Sequence, residues 1–331
     1  MTSLIWGQFD YVLSDLDGVV YEGSRAISPA PEVLGELGAR GVPVGYVTNN
    51  SSRKASAIAD QLLGFGVRCS PDDIIGSGQT GVALLAEQVP AGSRILVVGG
   101  DGLRDWVSRG GFEVVDSAEA KPAAVIQGFA PDVSWRNLAE AAYAIQAGAK
   151  WVATNSDWTL PQERGMAPGN GTLVSAVHTA VGQLPLVAGK PETPIFDLAK
   201  NHFSVKYGVG QPLFIGDRID TDITGANKAG LASVLVLTGV STRKEVLGQR
   251  LEGRPRYIIG SLAELIEDYA YPRATKRGYR SGSAEVELRG TKVCVVDGDP
   301  SGIDALRAAC AVVYTSKTPI FGLDVEPRLY E

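Results

Sequence analysis

Two carboxylates two residues apart, Asp15 and Asp17, close the short apolar run Tyr11-Val12-Leu13, and Gly18 follows at once. A short apolar run ended by a turn signal reads as a buried strand of a parallel sheet. In open α/β sheets the chemistry lies beyond the carboxyl ends of the strands. In a strand that continued through them, Asp15 and Asp17 would share one side. Crowded carboxylates repel unless a cation or a proton relieves them. Gly18 lets the backbone turn sharply and come close to a ligand. Asp and Gly are also ordinary turn formers, so taken alone the stretch also fits a solvated strand-end turn.

Three further polar clusters stand at or just after strand ends. Residues 43–47 predict a second strand running into Thr48-Asn49-Asn50-Ser51-Ser52, where Ser51 or Ser52 can cap a helix over 53–63. A strand, a polar turn and a helix start in that order make an anion site or a plain cap cluster. Gly189-Lys190-Pro191 follows a short apolar segment, and residues 212–215 predict a strand ending in Gly216-Asp217, with Asp222 close behind. A parallel sheet gathers such strand ends on one edge. The set then holds acid pairs for a hard cation, a hydroxyl, backbone N–H groups and one Lys. Mg²⁺ favours one or two carboxylates with water and phosphate oxygens. Lys190 and Thr48 suit the neutralising and orienting of phosphate oxygens. A carboxylate can attack phosphorus and form an aspartyl-phosphate. A second, protonated carboxylate can deliver a proton to the leaving alkoxide and then activate water.

The elements that must position these groups alternate between strand and helix. Helical spacing over 29–40 precedes the second strand. Residues 78–181 form another βα series, with strands predicted at 94–98, 112–115, 123–127 and 151–154 and helices at 103–108 and 135–147. That is too much material for a loop, so it reads as an inserted α/β domain. It ends in the Gly/Pro-rich passage 155–171, a surface loop or part of a lid. Core elements resume with a helix from 194 capped by Thr193, a strand at 232–237, another at 256–259 and a closing helix at 262–269. The basic segment 273–282 reads as a linker. Beyond it, strands are predicted at 284–288 and 292–296, a short helix at 303–309 and a strand at 311–314. This tail is marginal for independent folding and is expected to dock on the main body. The fold class is α/β, with a doubly wound parallel-sheet core.

At 331 residues, with 44% hydrophobic and 21% charged residues, the chain suits two soluble globular domains. A net charge of −6 argues against nucleic acid as main partner. Cys69, Cys294 and Cys310 lack metal-ligand spacing and fit a reducing cytoplasm. His178 and His202 are too far apart to suggest a zinc site. No signal peptide is evident, and no apolar run reaches the ~18 residues of a membrane helix.

Four motifs, DLDGVV, VTNN, GKP and GDRIDTDI, occur in order over residues 11–269. With them the chain resembles the haloacid dehalogenase superfamily of phosphatases, in its 4-nitrophenylphosphatase-like branch. The resemblance implies a Rossmann-like core (1–80 and 183–271), a large α/β cap (81–182) and a C-terminal extension (272–331). It implies Asp15 as nucleophile and Asp17 as general acid/base. It implies Mg²⁺ held by Asp15, the Asp17 backbone carbonyl and Asp217, with Asp222 supporting that shell. Thr48, Asn49 and Asn50 would hold phosphate, and Lys190 would pair with phosphate and nucleophile. Asp220 reads as a solvated acid at a helix start. Receiver domains share acids, a Thr and a Lys but lack the insert and the second Asp. Dehalogenating relatives also lack that Asp. Some actinobacterial members carry a tail resembling part of an acetyltransferase. Here, however, Asp299 and Pro300 spoil the Gly298–Gly302 loop as a pyrophosphate cradle. The tail is expected to serve structure, regulation or binding, for instance contacts in a homodimer. The expected substrate is a small phosphomonoester: glycerol 3-phosphate first, then phosphoglycolate, with pyridoxal phosphate and nucleotides as alternatives. Asn155, Asp157 and Arg164 are candidates for contacting the leaving group.

Overall fold

A computed structural model describes residues 4–162 and 164–331. The chain divides into two compact units, Met1–Val44 with Gly210–Glu331, and Gly45–Val209.

In the first unit the strands Tyr257–Ile259, Ala232–Val236, Pro212–Gly216 and Tyr11–Ser14 lie side by side in that order, all parallel. Every residue of Tyr11–Ser14 and Pro212–Gly216 is buried, which is why these segments read as unbroken apolar runs. Strand Tyr11–Ser14 stops before Asp15, so strand alternation does not set the directions of Asp15 and Asp17.

The C-terminal segment adds an antiparallel sheet to this unit. Its strands are Arg273–Ala274, Gly278–Ser281, Ala284–Arg289 and Lys292–Asp297, with Asp324–Val325 parallel at the far edge. The expected linker at 273–282 is therefore two strands. Part of its charge is paired across strands: Arg280 stands opposite Glu285 and bonds both Glu285 (2.7 Å) and Asp297 (2.8 Å). The strand expected at 311–314 is helical, because helix Ile303–Thr315 runs straight through it. Val312 and Val313 suggested a strand, yet both are buried in the same cluster as Ala305, Ala309 and Leu306. A helix buried on several sides needs apolar residues all round, and tertiary packing overrides β-propensity. That cluster also contains Ile219, Ile223, Leu235, Val246 and Ile258. The tail thus docks through a shared core, as expected. The closing helix expected at 262–269 is only a 3₁₀ turn, Leu262–Leu265.

The second unit contains Ile74–Gly76 and, from Gly45 onward, its parallel partner strand Val44–Thr48. The ring of Phe203, from helix Pro194–Tyr207, fills the space that a side chain at Gly45 would take. A five-stranded parallel sheet follows, in the order Leu186–Val187, Lys150–Ala153, Ala124–Gln127, Arg94–Val98, Glu113–Val115. Residues of helices Ser77–Gln88 and Asp101–Arg109 form one cluster with it, those of Trp135–Gln146 and Asn170–Val181 another. The first of these helices contains residue 81, where the sequence motifs suggest the cap begins. Within the passage 155–171, Thr159–Gln162 and Gly165–Pro168 pair as an antiparallel hairpin.

Candidate active site

In the first unit, Asp15 follows strand Tyr11–Ser14 and Asp217 follows its parallel neighbour Pro212–Gly216. Asp222 sits in the π-helical turn Ile219–Ile223. The three carboxylates each bring an oxygen within 4.8 Å of the other two. Their residues are 7%, 1% and 0% exposed. Burial and mutual repulsion both oppose three such charges, and a cation relieves both.

Backbone geometry fixes this cluster. Gly18 has φ +82, a conformation that other residues rarely adopt. Side chains at Gly18 and Gly239 would run into the Asp217 carboxylate, and one at Gly216 into Asp222. The loop after strand Ala232–Val236 completes the setting. Val240 N–H donates to Asp217 Oδ2 (2.7 Å), and Ser241 N–H donates to the Asp217 carbonyl (3.1 Å). Thr238 Oγ1–H donates to the Gly18 carbonyl (2.7 Å), and Ser241 Oγ accepts from Ile219 N–H (2.9 Å). Asp222 Oδ2 accepts from Arg218 N–H (3.0 Å). Asp220 turns instead to the Arg218 guanidinium (2.8 Å); burial would raise its pKa, but this pairing lowers it. Asp17 is exposed, so its side chain is not one of the buried trio.

In the second unit, Thr48 ends its strand and is buried. Its Oγ1 accepts from Asn50 N–H (3.1 Å). Asn50 Oδ1 accepts from Ser52 N–H (3.0 Å) and Arg53 N–H (3.2 Å), shaping the turn into helix Ala55–Gly64. The cap expected from Ser51 or Ser52 is absent: Lys54 is the N-cap residue, and Ser51 Oγ bonds Thr154 Oγ1 (3.0 Å) instead. Thr193 holds the N-cap place of helix Pro194–Tyr207 without a side-chain bond. Lys190 is 2% exposed, and its Nζ donates to the Val47 carbonyl (3.3 Å).

Asn49 is more heavily engaged than its place in a polar turn suggests. Its Nδ2 donates to the Lys190 carbonyl (3.0 Å) and lies 3.1 Å from both oxygens of Asp157. Its Oδ1 accepts from Lys190 N–H (2.8 Å). Its carbonyl accepts from Ser77 Oγ (2.6 Å) and Asn155 Nδ2 (2.8 Å). Asn155 and Asp157 therefore belong to this network, whereas Arg164 is exposed in the hairpin turn.

The residues that sequence reasoning passed over are Thr238, Gly239, Val240 and Ser77. Residues 238–239 after an apolar run carried a strand-end signal of the same kind as Gly216-Asp217, though Val240 acts through its backbone and leaves no signature.

Residues 12–113 match the model of the haloacid dehalogenase-like hydrolases, and residues 187–265 a second, HAD-hydrolase-like model. The chain is 41% identical to the D-glycerol 3-phosphate phosphatase of Mycobacterium tuberculosis, over 79% of this chain and 72% of that protein. It is 34% identical to the 5′-nucleotidase YutF of Bacillus subtilis, over 77% and 96%. Among solved structures, a glycerol phosphate phosphatase from M. tuberculosis in complex with magnesium superposes with a TM-score of 0.85 at 36% identity. That match covers 98% of this chain and 95% of the other.

Proposed function

The chain belongs to the haloacid dehalogenase-like hydrolases, and from that premise we propose that it is an Mg²⁺-dependent phosphatase acting on glycerol 3-phosphate. The observation that carries the reading is the buried trio Asp15, Asp217 and Asp222, the first two following neighbouring parallel strands and the third in the π-helical turn behind them. An all-oxygen, triply anionic donor set suits a hard cation such as Mg²⁺. Asp15 and Asp217 would hold it with the Asp17 carbonyl, and Asp222, tied to Arg218 N–H, would support them. Bound there, Mg²⁺ supplies positive charge to the phosphate oxygens as the reaction proceeds.

Asp15 attacks phosphorus in line, and the bond from phosphorus to the ester oxygen breaks. Asp17, exposed and able to exchange protons with solvent, protonates the departing alkoxide. It then takes a proton from the water that attacks the Asp15 phosphate, releasing inorganic phosphate and restoring the carboxylate. Thr48 and the backbone N–H of Asn49 would hold phosphate oxygens, with Asn50 close by and its own N–H on Thr48 Oγ1, and Lys190 would balance their charge. Asp15→Asn should keep the circular dichroism spectrum and lower turnover about a thousandfold or more. Activity within tenfold of the parent would overturn the assignment.

Glycerol 3-phosphate is favoured by the relatives that hydrolyse it, including the Gallus gallus glycerol-3-phosphate phosphatase at 36% identity. A phosphate-release screen over small phosphomonoesters tests the choice. A higher kcat/KM for phosphoglycolate, pyridoxal phosphate or a nucleotide would replace the substrate and leave the reaction standing.

We further propose a cytoplasmic enzyme. Among the described residues no helix is long and apolar enough to cross a membrane. The proposed domain division remains core 1–80 and 183–271, cap 81–182 and tail 272–331. The tail's role is structural, supported by the core it shares with Ile219 and Leu235. A homodimer is proposed on the exposed Trp135 and Tyr143 of one helix, to be checked by light scattering on a sizing column.

A further inference from the structure

One amide in the second unit joins two groups with different tasks. Asn49 Oδ1 accepts from Lys190 N–H (2.8 Å) and its Nδ2 donates to the Lys190 carbonyl (3.0 Å), so both backbone groups of one residue are held by one side chain. The remaining Nδ2 hydrogen lies between the two carboxylate oxygens of Asp157, each 3.1 Å away. Both amide hydrogens are thereby used, and the acceptor is engaged. A side chain at Gly189 would collide with Asn49 Oδ1 and the Thr154 carbonyl, so the close approach depends on that glycine. An aspartate at position 49 would set a carboxylate against Asp157 and lose both donated bonds.

We propose that Asn49 is a positioning residue that couples recognition of the leaving group at Asp157 to the setting of Lys190, and that its side chain does not bind phosphate. This rests on the phosphatase reading above. Asp157, only partly buried, is then the group that accepts hydrogen bonds from a hydroxyl of the leaving group. The substrate class this selects is a phosphomonoester whose alcohol carries a further hydroxyl. A substrate that engages Asp157 steadies the amide, and through it the loop bearing Lys190. An aryl phosphate without a hydroxyl cannot draw on that link.

The test is a double-mutant cycle with Asn49→Ala, Asp157→Asn and the pair, measuring kcat and KM for glycerol 3-phosphate and for 4-nitrophenyl phosphate. Product inhibition by inorganic phosphate reports on Lys190 separately. Asp157→Asn should lower the preference for glycerol 3-phosphate about tenfold, chiefly through KM. Asn49→Ala should lower it by a similar factor and also weaken inhibition by phosphate. In the pair, the second substitution should change the preference less than twofold further. Independent, multiplicative losses would overturn the coupling, as would an unchanged substrate preference in either single variant. Should Asn49→Ala fail to fold by circular dichroism, an unchanged preference in Asp157→Asn still overturns the proposal. Failure of the parent enzyme to hydrolyse either ester in the presence of Mg²⁺ would instead remove the phosphatase reading beneath it.

Discussion

Gly239 and Gly18 leave no room for a side chain beside Asp217, while Val240 N–H holds one of its oxygens. Gly239→Ala should therefore displace the Asp217 carboxylate without touching the apolar core. The expected result is a folded protein whose Mg²⁺ affinity, read by titration calorimetry, falls tenfold or more, about 1.4 kcal/mol. Affinity within twofold of the parent would show that the loop yields. Chelation should abolish turnover and Mg²⁺ restore it, whereas excess Ca²⁺ should inhibit because its shell is larger and looser. At this scale the acids were legible because carboxylates after apolar runs are conspicuous in sequence. Asn49 was legible as a site residue but not in its bonds. An amide in a polar turn fits a phosphate contact as well as a clamp, and only the placement of Lys190 and Asp157, more than a hundred residues on, distinguishes them.

Loops and short elements carry their own electrostatics. Asp73, at the end of the turn Pro71–Asp73, accepts from Lys206 Nζ (2.8 Å) and Tyr207 Oη (2.7 Å) on helix Pro194–Tyr207. Burial alone would raise its pKa, but the bonds from Lys206, Ser70 and Tyr207 outweigh it and hold the carboxyl at about 2, below the usual 3.8. A depressed carboxyl pKa stabilises the fold above the unfolded value, and that stability is lost as pH falls from about 4 to about 2. Because solvent screens this partly exposed group, Asp73→Asn should cost on the order of 1 kcal/mol at pH 7. The gap in Tm between parent and variant should narrow across that acid range, and a gap independent of pH would contradict the assignment. Strands that feed the site were readable as apolar runs ending in turns. Helix Ile303–Thr315 was readable only over its first half, because its β-branched end copies a strand and only burial among Ala305, Leu306 and Ile258 shows otherwise. The basic run 273–282 misled for the same reason: the partners of Arg280 lie on two later strands.

Across the molecule, the C-terminal segment is joined to the first unit by more than apolar contact. Arg307, 4% exposed, donates to the Ile258 carbonyl (2.8 Å), pairs with Glu264 and lies 4.2 Å from the Tyr269 ring centroid. Arg243 donates to the carbonyls of Leu329 and Gly302, both at 3.0 Å. Truncation after Tyr271 should therefore bare the cluster around Ile219, Ile223 and Leu235 and give a protein that binds hydrophobic dye and aggregates. A monomeric truncated protein with full turnover would show the tail to be dispensable. The unit that carries the acid trio is also discontinuous in sequence. Strand Tyr11–Ser14 leaves the ribosome early, yet its partner Pro212–Gly216 follows about two hundred residues later, a delay of roughly 10–40 s at ordinary rates of synthesis. Throughout that interval an apolar strand lacks this parallel partner. Gly45–Val209, contiguous in sequence, can fold first, while the strand of the proposed nucleophile waits. Nascent chains stalled between those two points should be the ones that chaperones hold.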